Sequence, residues 1–389
     1  MTDTATAAPP VTADWRAVAS IGLGIFTLVA SEFLPASMLP RIAADLGVSE
    51  GTAGQAVTVT ALMGAIVAPT IAVLLPRQDR RVVLIGLMAL AVVSNVLVAL
   101  TPSYWLLLVS RLLLGAALAG FWAFSISVTS ALVPADRLGR ALTVVNLGST
   151  VAAVAAVPLG AYLGEVWGWR GVFALAAGAG LLTVLAQARW LPAVPPSGSP
   201  GLRTLAETLR RPVLFAGLIA IGLVAAGHFA AFTYLRTATA LVQGLNAGLL
   251  AALLLLFGVA NVVGNLAAGP LADRRLPLLV LGAPLLIGGA TLAFAAAVDT
   301  TALVFVAVAV WGIGFGAVPT AFQTWIARTE PDRLESAGGL MIATFQVAIA
   351  VGAFAGGLLV DGAGVRAALV TGGVAAVLGG LSLAALRRS

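Results

Sequence analysis

Residues 106–133 read LLLVSRLLLGAALAGFWAFSISVTSALV and carry a single charge, Arg111. About 20 apolar residues span the hydrocarbon core of a bilayer as a helix. This run, placed at roughly 104–131, is long enough to cross. Eleven similar runs flank it, at 17–38, 52–75, 81–100, 140–163, 169–190, 213–235, 247–270, 277–297, 302–327, 337–360 and 366–386. Barrel strands would be ~10 residues of strict alternation, a pattern the chain lacks. The reading is an all-α polytopic membrane protein with twelve transmembrane helices. Its 44 glycines suit close helix approach in lipid.

Composition agrees. Of 389 residues, 60% are hydrophobic and 9% charged, where soluble domains carry ~25% charge. So few ionised groups cannot cover a soluble surface of this size. That excludes a soluble enzyme, a disordered chain and a nucleic-acid binder. There is no Cys, hence no disulfide or thiolate metal site. All 21 basic residues are Arg, which removes Schiff-base chemistry and any GxxxxGK[ST] phosphate loop. One His cannot make an HExxH site. The chain is therefore read as no enzyme, with no cofactor, and an ion gradient is the expected energy source.

The arginines set the topology. With the N-terminus inside, Arg16, Arg77, Arg80, Arg81, Arg137, Arg140, Arg189, Arg203, Arg210, Arg211, Arg274, Arg275, Arg328, Arg333, Arg387 and Arg388 fall on the cytoplasmic side. Only Arg41, Arg170, Arg236 and Arg366 fall outside. Sixteen against four places both termini in the cytoplasm. Residues 1–15 are polar and Ala/Pro-rich, expected to be a disordered cytoplasmic tail. No basic stretch precedes a cleavage site, so the first helix is expected to stay as an anchor.

The longest interior polar stretch, LPAVPPSGSPGLRTLAETLRRP at 191–212, reads as a cytoplasmic linker. It divides the chain into six-helix bundles at 16–190 and 213–389. The halves echo each other. Glu165, Gly168 and Arg170 recur as Asp361, Gly364 and Arg366 at an offset of 196, and Gly160 recurs as Gly356. Pro134 and Arg137 have approximate counterparts in Pro331 and Arg333. Two such repeats are the architecture of many secondary transporters.

Ionisable groups inside apolar spans are costly and mark function. Three stand out: Glu32, Arg111 and His228. Desolvation favours the neutral form of a carboxyl, so Glu32 can take a proton on one side and release it on the other. The bland reading is an interfacial carboxylate. Arg111 shares a helix face with Gly115, Leu118, Trp122, Ser125 and Thr129, all within about 40° of one line. It needs an anion or carbonyl partner; Glu32 is a candidate, and structural pinning is the alternative. His228 titrates near neutral pH and can also bond a nucleobase or sugar, although a lone His is often a packed core residue. These three are the expected proton-coupling groups. Trp122, Ser125, Asn146, Phe229, Phe232, Tyr234 and Gln323 are expected to line the substrate cavity. Asn261, Asn265 and Gln346 either join it or glue helices together. GPLADRR at 269–275, with Gly269 and Asp273, can form a breakable latch at a helix end.

These residues resemble the major facilitator superfamily over nearly the full length. The segment SEFLPASMLPRIAADLGVSEGTAGQAVTVTALMGA at 31–65 is similar to its drug and metabolite proton-antiporter branch. FWAFSISVTSALVP (121–134), LGEVWGWRGVF (163–173), FAAFTYLR (229–236) and QTWIAR (323–328) resemble bacterial purine ribonucleoside efflux permeases within it. The family's helix 2–3 loop pattern, Gly-x-x-x-Asp-x-x-Gly-Arg-Arg, falls on Ala72, Pro76, Asp79, Arg80 and Arg81, so only the arginines survive. The second copy keeps Gly269 and Asp273, which implies an asymmetric latch. The helix 4 Arg-x-x-x-Gly motif is present as Arg111 and Gly115, and the resemblance ties that Arg to proton coupling. The helix 5 antiporter motif is represented by Pro158 and Gly160, with Gly164 a turn later.

The resemblance implies a monomeric, multi-pass protein of the bacterial inner membrane. It would export purine ribonucleosides such as inosine or guanosine in exchange for protons, by alternating access. Its partners would be a small-molecule substrate, protons and the bilayer, without nucleic acid or metal. Drug, sugar or other metabolite export is the alternative within the fold, and a non-transporting membrane receptor is the remote one.

Overall fold

The computed structural model describes residues 13–196, 201–239, 241–242 and 246–386. Most of the expected N-terminal tail, part of the linker, and Arg387 and Arg388 lie outside the described residues. The described chain is helical, without a strand. Its helices are α1 (Trp15–Ser37), α2 (Leu39–Leu46), α3 (Glu50–Leu74), α4 (Arg80–Leu100), α5 (Tyr104–Leu132), α6 (Leu138–Trp190), α7 (Leu202–Leu209), α8 (Pro212–Phe232), α9 (Leu235–Thr239), α10 (Ala247–Ala296), α11 (Thr301–Thr329), α12 (Leu334–Ala363) and α13 (Val365–Ala385). Among the described residues, 11 helical stretches are long and apolar enough to cross a membrane.

Side-chain caps start many of these helices by accepting otherwise unpaired backbone N–H groups. Asp14 accepts from Ala17 N at 3.0 Å, Ser49 from Thr52 N at 3.1 Å, and Asp79 from Arg81 N at 2.8 Å. Asn246 does the same for Leu249 N at 2.9 Å. Pro212 opens α8, where its missing N–H costs nothing.

Four apolar runs read as separate helices meet in pairs at one-residue kinks. Runs 140–163 and 169–190 are the two helices within α6, and runs 247–270 and 277–297 are the two within α10. Each join is one residue of non-helical backbone, Gly168 (φ 70°, ψ 161°) or Arg275 (φ −141°, ψ 48°), so no loop separates the runs. Gly168 adopts a conformation that a Cβ forbids. Its repeat partner Gly364, between α12 and α13, has nearly the same backbone, φ 83° and ψ 162°. The internal echo in the sequence is thus reproduced as one shared backbone geometry.

Helices before residue 190 pack mainly on one another, α1 on α6 and α3 on α5. Those after residue 212 do likewise, α8 on α12 and α13, and α10 on α11 and α13. Two helix pairs dominate the packing between these groups, α6 with α10 and α3 with α12.

The segment read as a linker contains α7. Glu207 on α7 pairs with Arg203 at 2.9 Å and with Arg333 at 3.3 Å. Arg211 donates to Glu330 at 2.7 Å, which anchors the linker to the turn before α12. Burial pushes the Glu330 carboxyl up, and Arg211 and Arg333 oppose that. At its other end the linker holds the start of α4: Arg80 N donates to Val194 O at 2.8 Å, and Val194 N donates to Asp79 at 3.1 Å. We call this end of the bundle the linker end.

Candidate functional site

Three clusters of buried polar or aromatic side chains stand out, one within each helix group and one between them. The first surrounds Arg111 on α5, which is fully buried. Its Nε donates to Thr60 Oγ1 of α3 at 3.3 Å, and Nη1 donates to Ser31 O of α1 at 3.2 Å. Nη2 has no partner among the described residues. Gly115, one turn on, explains why Thr60 is within reach. A Cβ there would collide with Thr60 O and sit 3.1 Å from Met63 Cβ, so the missing side chain brings α3 against α5. Asn95 of α4 donates to Ser31 Oγ at 2.9 Å and extends the polar string.

Glu32 follows Ser31 directly and is half-buried. No ion pair joins it to Arg111 among the described residues, although the two charges interact electrostatically. The pairing considered from sequence is therefore replaced by carbonyl and hydroxyl partners on Arg111, with the carboxylate beside them. Gly115→Leu should force α3 away from α5. Overpacking of this kind costs about 1–3 kcal/mol, read as a lower melting temperature and loss of substrate-induced stabilisation.

The second cluster binds the two helix groups at the linker end. Asp273 of α10 accepts from Gly139 N at 2.5 Å, Arg140 N at 3.3 Å and Arg140 Nε at 2.8 Å. A carboxylate thus sits on the N-terminus of α6, where the helix dipole favours it. A Cβ on Gly139 would lie 2.6 Å from Ala272 Cβ, and one on Gly269 would lie 2.7 Å from Thr143 Oγ1. Both glycines are what allow this approach. Opposite, Arg80 donates through Nε and Nη2 to Glu335 of α12 at 2.7 and 2.5 Å, with both side chains buried. Nη1 is held by Leu75 O at 2.6 Å, and the guanidinium lies 4.6 Å from the Phe124 ring centroid. Arg81 does not join them; it donates to Ala188 O within its own helix group.

Further into the bundle, Asn146 of α6 donates to Gln323 Oε1 at 2.8 Å and to Thr320 Oγ1 at 3.0 Å, both on α11. Thr143 donates to Asn265 O at 3.1 Å, and Asn265 returns a bond to Thr143 O at 3.2 Å. Asn146 and Gln323 are buried and bonded to each other across the groups. In this conformation they are cross-links, not cavity wall.

The third cluster is aromatic. His228 is buried on α8, its ring stacked on Phe315 at 3.6 Å between centroids and on Phe232 at 5.1 Å. Phe229 and Trp311 meet it edge-on. Trp311 Nε1 donates to His228 Nδ1 at 3.0 Å. Phe229 and Phe232 thus gather around His228, but Tyr234 does not join them. Its hydroxyl donates to Ala353 O at 2.9 Å and ties the turn after α8 to α12. Ser125 is likewise turned inward, buried and donating to Trp122 O of its own helix at 2.8 Å. Trp122 is half-buried on the core. Pro158 lies within α6, and Gly160 packs where a Cβ would be 2.5 Å from Ser37 Oγ.

Sequence reading missed Glu335, Trp311, Phe315, Thr60 and Thr320. Glu335 carried a usable signal. It stands at the 196-residue offset from Gly139, so its carboxylate occupies the repeat position of an N–H that receives one. The others are ordinary residues in apolar runs, and only packing reveals them.

A sequence model of the Major Facilitator Superfamily matches residues 21–340. The chain is 38% identical over 373 residues to a Salmonella typhimurium protein named purine ribonucleoside efflux pump NepI, covering 96% of this chain and 94% of that one. The Salmonella enteritidis protein of the same name matches to the same extent. Among solved structures, the human organic anion transporter MFSD10 superposes with a TM-score of 0.79 at 16% identity, covering 97% of this chain and 100% of that one. FucP in its outward conformation superposes with a TM-score of 0.76 at 17% identity, covering 95% and 97%. At such identity these structures speak for the fold alone. The sequence matches, the helical bundle and its membrane-length helices agree: the chain belongs to the Major Facilitator Superfamily and is a multi-pass transport protein of the bacterial inner membrane.

Proposed function

We propose that this transporter exports purine ribonucleosides such as inosine or guanosine in exchange for protons. The observation that carries the reading is the 38% identity, across nearly both full lengths, to proteins named as pumps for that cargo. The aromatic cluster around His228 supports a flat, partly polar substrate.

In this reading the chain crosses the membrane twelve times. α6 and α10 each consist of two helices meeting at a one-residue kink, and each of those helices reaches the ~20 residues a crossing needs, so α6 and α10 each cross twice. The arginine bias makes the linker end cytoplasmic and puts both termini there. The bundles 16–190 and 213–389 rock about the α6–α10 and α3–α12 contacts as a monomer. The contacts at the linker end then hold an outward-facing state.

Glu32 exchanges protons, and Arg111, beside it, makes its protonation sensitive to the packing of α1, α3 and α5. Trp122, Ser125, Phe229, Phe232 and Tyr234 surround the path. Asn146 and Gln323 become free for substrate when their mutual bonds break. Thermal stability of the purified protein tests the cargo. Inosine and guanosine should raise the melting temperature further with each increase in concentration, the stabilisation reaching about 2.7 kcal/mol at a hundredfold excess over Kd. Stabilisation by arabinose or a lipophilic cation, with none by inosine, would replace the purine reading with sugar or drug export.

A further inference from the structure

The imidazole of His228 is fixed in one protonation pattern by its surroundings. Trp311 Nε1 is a donor only, and it donates to Nδ1 at 3.0 Å. Nδ1 therefore carries no hydrogen, and the ring proton of a neutral His228 sits on Nε2. Phe315 lies parallel to the ring at 4° and Phe232 at 16°, so these stacked rings oppose a flip of the imidazole. A flip would also leave the Trp311 N–H facing another N–H.

Nε2–H is buried and has no partner among the described residues. The rings around it come from α8 (Phe229, Phe232), α10 (Phe257) and α11 (Trp311, Phe315), and they offer no hydrogen-bond acceptor. A buried donor without an acceptor is destabilising. Here it is surrounded by flat apolar faces and held rigidly in direction. Phe229, Phe232 and Phe315 are half-buried, while Trp311 and His228 are enclosed, so the phenyl rings form the accessible side. A phenyl ring can turn aside by side-chain rotation alone.

We infer that His228 is a recognition residue for the cargo. Its Nε2–H donates to an acceptor on the purine edge, N7 or O6, while the phenyl rings stack on the base. This rests on the purine reading above and adds to it the group that selects the base. It also separates His228 from Glu32 and Arg111. A second proton on the imidazole would have to go to Nδ1 and would expel the Trp311 N–H, so the ring is built as a fixed donor and not as a proton carrier.

The test uses purified full-length protein, labelled inosine and two competing analogues. In 7-deazainosine, N7 is a carbon; purine riboside lacks O6. In the wild type, at least one analogue should bind about tenfold more weakly than inosine, as expected for one lost buried hydrogen bond. In His228→Phe, which keeps an aromatic ring and removes the donor, inosine should weaken to the level of that analogue and the discrimination should vanish. Equal binding of inosine and both analogues by the wild type overturns the inference without any variant. Discrimination that survives in folded His228→Phe overturns it as well. If the wild type binds the analogues and inosine alike, the purine reading stands and only the role of His228 falls. If it binds no purine nucleoside at all, both fall together.

Discussion

Glu335→Ala is expected to spring the linker end open. Glu335 accepts two bonds from a guanidinium that is itself buried between the helix groups. Removing one partner of a buried pair costs about 3–5 kcal/mol, because the remaining buried charge loses its counter-ion. The pair spans the two groups, so a large part of that cost falls on the conformation in which they touch. At 1.4 kcal/mol per tenfold, the equilibrium between touching and separated ends should move by about a hundredfold or more.

The chain contains no Cys, so labels can be introduced without first removing any. Asp136 and Asp332 are exposed, one in each helix group, in the short turns before α6 and α12. Spin labels on cysteines at these two positions should report longer separations in Glu335→Ala and in the shape-conserving Glu335→Gln. The exchange Arg80→Glu with Glu335→Arg should restore the short distance. Unchanged distances in both single variants would show that the pair does not hold this end.

The second large effect is expected at Glu32. One pH unit is worth about 1.4 kcal/mol per proton, hence about tenfold accumulation of cargo when one proton is exchanged. In Glu32→Gln the accumulation ratio should fall to one, since an amide cannot carry the proton. Downhill exchange of labelled inosine should continue, because the substitution keeps the volume and removes no bond seen at the carboxylate. Accumulation at the wild-type level would remove Glu32 from the coupling. Loss of downhill exchange together with accumulation would assign it to substrate binding.

Much of the helical framework was legible because apolar length and arginine placement follow from the bilayer itself. What escaped was how short the turns are. Gly168 turns the chain in one residue, so the two helices within α6 meet at a kink with no loop between them. The linker reads as Pro/Gly/Ser-rich at its start, yet LRTLAETL within it becomes α7, on which Glu207 pairs with Arg203 and Arg333.

The sites divide in the same way. Buried charge is legible from cost alone, so Arg111 stands out. Its partners do not, since Ser31 O and Thr60 Oγ1 belong to residues with nothing unusual about them. The first latch looked degraded because Pro76 stands where the resembling pattern has Asp. The structure places the acid on the opposite helix, as Glu335, and meets it with Arg80. The second latch keeps the acid on the loop side, as Asp273, and meets it with the N–H groups that start α6. One interface is thus closed by two contacts of opposite polarity, an asymmetry visible only once the two repeats face each other.

Reconstituted vesicles test the central claim most directly. The purified protein is inserted in liposomes, a pH difference is imposed, and labelled inosine is followed across the membrane. Inosine should accumulate on the side from which protons leave, and a protonophore should abolish the accumulation. Inosine movement that is indifferent to the gradient, or no movement of any purine ribonucleoside by folded protein, would contradict it.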